Sequence, residues 1–76
     1  GDRIAGRLDG KTDRRERLFR VFGAFAEMGA DHDVTAEGMA RALDDLATFV
    51  GVDGWRVEGN RGELIKQLRR REGAHR

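Results

Sequence analysis

Three of the chain's four phenylalanines fall within seven residues, in the run LFRVFGAFAEM at 18–28, and no other stretch concentrates apolar mass so densely. Whatever this run becomes must form the centre of the fold. At about 100° per residue, Leu18, Phe19, Val21, Phe22, Phe25, Ala26 and Met28 cover roughly half the circumference of a helix. That stripe is wider than an ordinary surface helix carries, so it would pack against two neighbours. Glu16 and Arg20 fall on the opposite side, spaced for a weak surface pair. The periodicity predicts a central helix over 14–28.

Punctuation along the chain supports a helical reading. Asp13 followed by Glu16 has the form of a capping box, and Asn60 followed by Glu63 repeats it. Glycines at 10, 29, 51 and 73 stand where helices would stop. Met39, Leu43, Leu46 and Val50 form a narrow seam, widened by Ala42 and Phe49, and predict a helix over 35–50. Leu64, Ile65 and Leu68 give a small apolar face to a helix over 61–72, and a short leading helix is expected near 3–9. Between the last two main helices, Val52, Trp55 and Val57 are too apolar for a free loop. They are expected to fold back as a plug, with Trp55 contributing the most buried area. A very short extended segment at 55–57 is the alternative, with no second strand for it to pair with. Gly23 and Gly38, inside predicted helices, imply close helix approach or a bend. The expected fold class is all-α, a bundle of three main helices in one domain over 1–76, with a frayed tail at 73–76.

Size limits that core. A 76-residue chain buries only about 60% of its unfolded surface. There is no cysteine to add a disulfide, so self-association or a partner is expected to supplement the core. Gly1 in the place of a methionine suggests a trimmed protein, a cleaved tag or an excised domain. No apolar run approaches the ~18 residues of a membrane span, and with charges mixed in from Asp2 onward nothing at the start resembles a signal peptide. The arginine-rich composition suggests a GC-rich bacterial genome, the absence of cysteine is compatible with every redox compartment, and the expected setting is the cytoplasm. Net charge is only +1, but it is unevenly placed. Residues 1–26 carry +3, residues 27–53 carry −6, and residues 54–76 carry +4. Such a pattern serves internal pairing, self-association or a charged partner.

The stretch EMGADHDVTAEGMARAL, 27–43, resembles the EF-hand family and also TerB-like helical domains, in which an acidic loop precedes a Val-Thr pair. The resemblance implies a helix–loop–helix shape. The family's ligand pattern is broken, since Glu27, Gly29, His32 and Gly38 stand at its first, third, turn-glycine and closing-carboxylate positions. Only Asp31 and Asp33 remain, so calcium is not expected. Asp33 or Thr35 is expected to cap the following helix, with Asp31 and Glu37 at its positive end. FAEMGADHDV also looks like the acyl carrier protein loop, but the chain has no serine to carry a prosthetic arm. His32 and His75 are far apart in sequence and no cysteine joins them, so neither a metal nor another cofactor is expected.

Nucleophilic catalysis has little to draw on. The hydroxyls are Thr12, Thr35 and Thr48, neither histidine has a triad context, and no phosphate-cradling glycine loop is present. The sequence therefore reads as a non-enzymatic protein-interaction module. Phe19 and Phe49 are the apolar contact candidates, and Asp44 and Asp45 are an acidic pair able to guide a basic partner or a second copy. The alternative is nucleic-acid binding by the last helix through Lys66, Gln67, Arg69, Arg70 and Arg71, with Arg61 and Arg76 nearby.

Overall fold

The computed structural model describes residues 6–72, and within them the architecture is α/β rather than all-α. Strand β1 runs Gly6–Asp13, β2 Leu18–Ala26, helix α1 His32–Val50, strand β3 Gly54–Arg61 and helix α2 Ile65–Arg71. The three strands form one sheet in the order β1-β2-β3. β1 and β2 pair antiparallel as a hairpin, and β2 and β3 pair parallel, joined by α1 as a crossover. Both helices contribute to a single core against one face of this sheet, so the molecule has two layers.

The central helix expected at 14–28 is therefore the hairpin turn and β2. Its inward residues are Phe19, Val21, Ala24 and Ala26, all packed toward the core. Strict alternation breaks between Val21 and Gly23, where the register shifts against both neighbouring strands. This bulge at Phe22 changes the inward spacing from two to three residues for one step. The spacing 19, 21, 24, 26 then approximates a helical period, which is why the apolar pattern misleads. Met28, counted in the helical stripe, is fully exposed in the loop that follows.

The apparent capping box at Asp13 is a turn device. Asp13 Oδ1 does accept from the Glu16 backbone N–H at 3.0 Å, but it closes the hairpin at 14–17 and starts no helix. Arg17 adopts the left-handed conformation there, with φ of 58°. Its carbonyl accepts from the Asp53 N–H at 2.9 Å, and its guanidinium reaches the Asp53 carboxylate at 3.0 Å and the Gly51 carbonyl at 3.2 Å. Arg14 donates to the Val50 carbonyl at 3.0 Å. α1 has no basic residue in its own last turn, so the hairpin turn supplies the cations that complement its negative end.

α1 starts earlier than 35, because the N-cap is Asp31, whose Oδ1 accepts from the Val34 N–H at 3.0 Å. Neither Asp33 nor Thr35 is the cap. A strand, not a helix, enters the preceding loop, so the helix–loop–helix shape implied by the EF-hand resemblance is absent. The helix ends at Gly51, in the left-handed conformation expected of a glycine stop. Its buried stripe is Thr35, Ala36, Met39, Leu43 and Ala47, while Ala42 and Phe49 face solvent.

The segment expected to be a plug holds a full strand. β3 finds the partner the sequence reading lacked because 18–26 is itself a strand. Val52, Trp55 and Val57 are buried as expected. Gly62 then turns the chain, with φ of 96°, and a Cβ there would stand 2.0 Å from the Ala24 carbonyl oxygen. This close approach lets the Leu64 N–H donate to the Ala24 carbonyl at 3.0 Å, and the Ala26 N–H donate to Glu63 Oε2 at 2.7 Å. The Ala26 N–H holds the Glu63 carboxyl below the usual carboxylate range. Glu63 is thus no capping partner of Asn60, and α2 begins only at Ile65. Gly10 lies inside β1, and Gly29 precedes α1 rather than ending a helix. Of the leading helix near 3–9, residues 6–9 are strand, and residues 3–5 lie outside the described residues, as does the tail 73–76. Among the described residues no helix is long and apolar enough to cross a membrane.

Candidate nucleic-acid interface

Packing both helices on one side leaves the other face of the sheet uncovered by any described element. Alternation sends Arg7, Asp9, Lys11 and Asp13 of β1 to this open face, since Leu8 packs toward the core. From β2 come Arg20, Phe22 and Phe25, and from β3 come Arg56, Glu58 and Arg61. The open face therefore has five cations, three carboxylates and two aromatic rings.

The bulge shapes this surface. After inward Val21 comes half-buried Phe22, which has no register partner and does not join the core cluster; Gly23 then faces outward, and Phe25 follows after inward Ala24. A Cβ on Gly23 would meet Phe25 Cε1 at 2.9 Å and Arg61 Cβ at 3.5 Å, so glycine leaves the floor on which that ring lies. Arg7 stands over the Phe25 ring at 4.4 Å from its centroid, and Arg61 approaches at 6.0 Å. Asp9 lies between the two guanidinium groups, 3.5 Å from Arg7 and 3.6 Å from Arg61. Each cation–π contact of this exposed kind contributes about 0.5–1 kcal/mol.

A row of three cations crosses the sheet beside this cluster. Lys11 is opposite Arg20 on β1, and Arg56 is opposite Arg20 on β3. Neighbouring strands lie about 4.8 Å apart, and like charges directly opposite one another disfavour pairing. Only the middle cation is compensated. Arg20 donates to Asp13 Oδ2 at 2.9 Å and is paired with Glu58, so one guanidinium ties all three strands together. The Arg20 hydrogen bond, followed by the Glu16 backbone N–H, holds the Asp13 carboxyl below its ordinary range. Lys11 and Arg56 form no ion pair among the described residues. A sheet that tolerates repulsion here departs from the rule that stabilises sheets, and such departures concentrate at functional surfaces.

The uneven charge of the sequence is redistributed by the fold. Arg7, Lys11, Arg20, Arg56 and Arg61 lie on the sheet, while the acidic α1 shares the helical layer with Lys66, Arg69, Arg70 and Arg71 of α2. On α1, Arg41 pairs with Glu37 at 3.5 Å, and Asp33 and Asp45 are exposed.

The residues singled out from sequence are not brought together. Phe19 packs against the core from the sheet's inner side, whereas Phe49 is 87% exposed on α1. Asp44 accepts from the buried Trp55 indole at 2.8 Å, and Asp45 is exposed. On α2, Gln67 donates to Asp33 at 2.6 Å, Arg69 to the Gly59 carbonyl at 2.5 Å, and Arg71 to the Gln67 carbonyl at 3.0 Å. Lys66 and Arg70 are exposed. Much of the basic helix is therefore engaged within the fold. The open-face residues Arg7, Lys11, Arg20, Phe22, Phe25 and Arg56 were not selected as site residues. Their signal was the alternation R-x-D-x-K-x-D at 7–13, which has the period of a strand.

Among the described residues no group of three or more His, Asp or Glu side chains gathers in a way that could hold a metal ion. No family model matches the chain, and neither the curated proteins nor the solved structures contain a significant match.

Proposed function

We propose that this chain is a nucleic-acid-binding module that uses the open face of its sheet, with Lys11, Arg56, Arg61 and Arg7 meeting phosphates. The observation that carries this reading is the uncompensated cationic row at Lys11 and Arg56 beside two outward phenylalanines. A positive groove supplies sequence-independent affinity, and aromatic rings supply stacking surface for unpaired bases. Phe22 is the stacking residue, since the Phe25 ring is already covered by arginine. The chain acts by binding, without catalysis, and the contact surface is the sheet rather than the last helix.

A fluorescent single-stranded oligonucleotide titrated at low and moderate salt tests this. Binding is expected to weaken steeply with salt, and Lys11→Glu with Arg56→Glu is expected to abolish it while circular dichroism is unchanged. Retained binding in that variant, with loss in Arg69→Ala/Arg70→Ala, would return the site to α2.

A second reading rests on Phe49, whose 87% exposure on α1 suits contact with a protein partner. Phe49→Ala would then weaken capture of that partner and leave oligonucleotide binding unaltered.

A further inference from the structure

The sheet has two outer edges, and the fold treats them differently. At β3 the edge is closed by α2 and the residue after it. Arg69 donates to the Gly59 carbonyl at 2.5 Å, and Glu72 Oε2 accepts from the Val57 N–H at 3.0 Å. Backbone groups that a further strand would use are thereby occupied by side chains. At β1 no described residue pairs with the outer edge, and the strand is eight residues long.

Only one antiparallel register of β1 against itself pairs all four of its open-face charges with opposite ones; a slip of four residues leaves just half of them paired. The open-face residues of β1 are Arg7, Asp9, Lys11 and Asp13, alternating in sign. Let two copies of β1 run antiparallel about a two-fold axis at Gly10. Arg7 then faces Asp13 of the second copy, and Asp9 faces Lys11 of the second copy. Every open-face pair is attractive. Slip the strands by two residues and Arg7 faces Lys11 while Asp9 faces Asp9, or Asp9 faces Asp13 while Lys11 faces Lys11. Every such pair is repulsive. A parallel in-register pairing also sets each charge against itself. A slip by one residue would send the charged side chains to the core face. On that inner face the two-fold register puts half-buried Leu8 beside Thr12 of the second copy, and glycine beside glycine at the axis.

We infer that β1 is a self-pairing edge, and that two copies of this chain join there into a continuous six-stranded antiparallel-centred sheet. Opposite charges across strands favour a pairing, and like charges oppose it, so the pattern selects register as well as partner. The inference does not depend on nucleic-acid binding: the pairing would extend the two open faces into one surface while engaging Lys11 with Asp9 of the second copy, which leaves Arg56 as the uncompensated cation of the row.

Sedimentation equilibrium of the 76-residue chain from micromolar to millimolar tests it. The wild type is expected to dimerise. Asp9→Lys alone sets lysine against Lys11, and Lys11→Asp alone sets aspartate against Asp9, so each is expected to dimerise about tenfold or more weakly. An equimolar mixture of the two variants restores opposite charges and is expected to recover dimers, as is the double swap in one chain. In wild-type protein, amide exchange along β1 is expected to slow as concentration rises, a readout that needs no variant. The inference is overturned by a wild type that stays monomeric at millimolar concentration. It is equally overturned by single variants that dimerise like the wild type, or by a mixture of folded variants that stays monomeric.

Discussion

The indole N–H of Trp55 donates to Asp44 Oδ1 at 2.8 Å, joining the start of β3 to α1 from the largest buried side chain of the core. Asp44 and its neighbour Asp45 thus differ in kind. Asp44→Ala is expected to destabilise the fold by about 1–2 kcal/mol, because it removes a charge-assisted bond from a buried donor. Asp45→Ala should change stability by less than about 0.5 kcal/mol, as exposed substitutions usually do. Urea unfolding followed by tryptophan fluorescence compares the two directly. Equal effects would show that the indole bond contributes nothing.

Gly62 tolerates no side chain. Its positive φ alone costs a non-glycine residue about 1–2 kcal/mol, and the Ala24 carbonyl occupies the place of a Cβ. Gly62→Ala is therefore expected to destabilise by more than about 2 kcal/mol. Gly38→Ala, where a Cβ meets open space on α1, should stabilise by up to about 1 kcal/mol. Thermal unfolding of the two variants should give shifts of opposite sign.

Acid should weaken the fold through two carboxylates. Asp13 and Glu63 are both held below their ordinary ranges, the first by Arg20 and the Glu16 N–H, the second by the Ala26 N–H. A depressed folded value means that the unfolded chain binds protons first. Their stabilisation is therefore complete above the ordinary carboxylate range near pH ~4, and it is lost as pH falls through the folded values. Urea midpoints measured from neutral pH downward should fall below about pH 4. Asp13→Asn with Glu63→Gln should flatten that decline.

Stacking and phosphate contact can be separated on the open face. Phe22→Ala is expected to weaken oligonucleotide binding by about 1–3 kcal/mol with an unchanged salt slope. Lys11→Ala should reduce the slope of log K against log salt by about 0.7. Fluorescence anisotropy over a salt series distinguishes these signatures. A Phe22 variant that binds like wild type would remove stacking from the mechanism.

The parts of the fold that depend on a steady helical period were legible. α1 was foreseen within three residues at its start, and its stop at Gly51 was read correctly, because nineteen residues sample the period many times. Burial of Val52, Trp55 and Val57 was also legible from their bulk. The hairpin was not. In β2 the bulge at Phe22 replaces a strict alternation with a mixed spacing, and Asp13 with Glu16 offers the same local hydrogen bond to a turn as to a helix. With β2 misread, β3 had no strand to lie against. The open-face site was lost with them, because Arg7, Lys11, Arg20 and Arg56 converge only when three strands are laid side by side. Arg69 shows the reverse case, a cation conspicuous in sequence that the fold uses to close a strand edge.

Hairpin turns are ordinarily the places where a chain accepts inserted residues. The turn at 14–17 should not be one. Through Arg14 and Arg17 it holds the carbonyls of Val50 and Gly51 and the backbone of Asp53, more than thirty residues away in sequence. Lengthening the turn would release the end of α1 and the entry to β3 together. For grafting an epitope, tag or binding loop onto this scaffold, the loop around exposed Met28, ahead of the Asp31 cap, offers the tolerant position, and the hairpin tip is a structural clasp to be left alone.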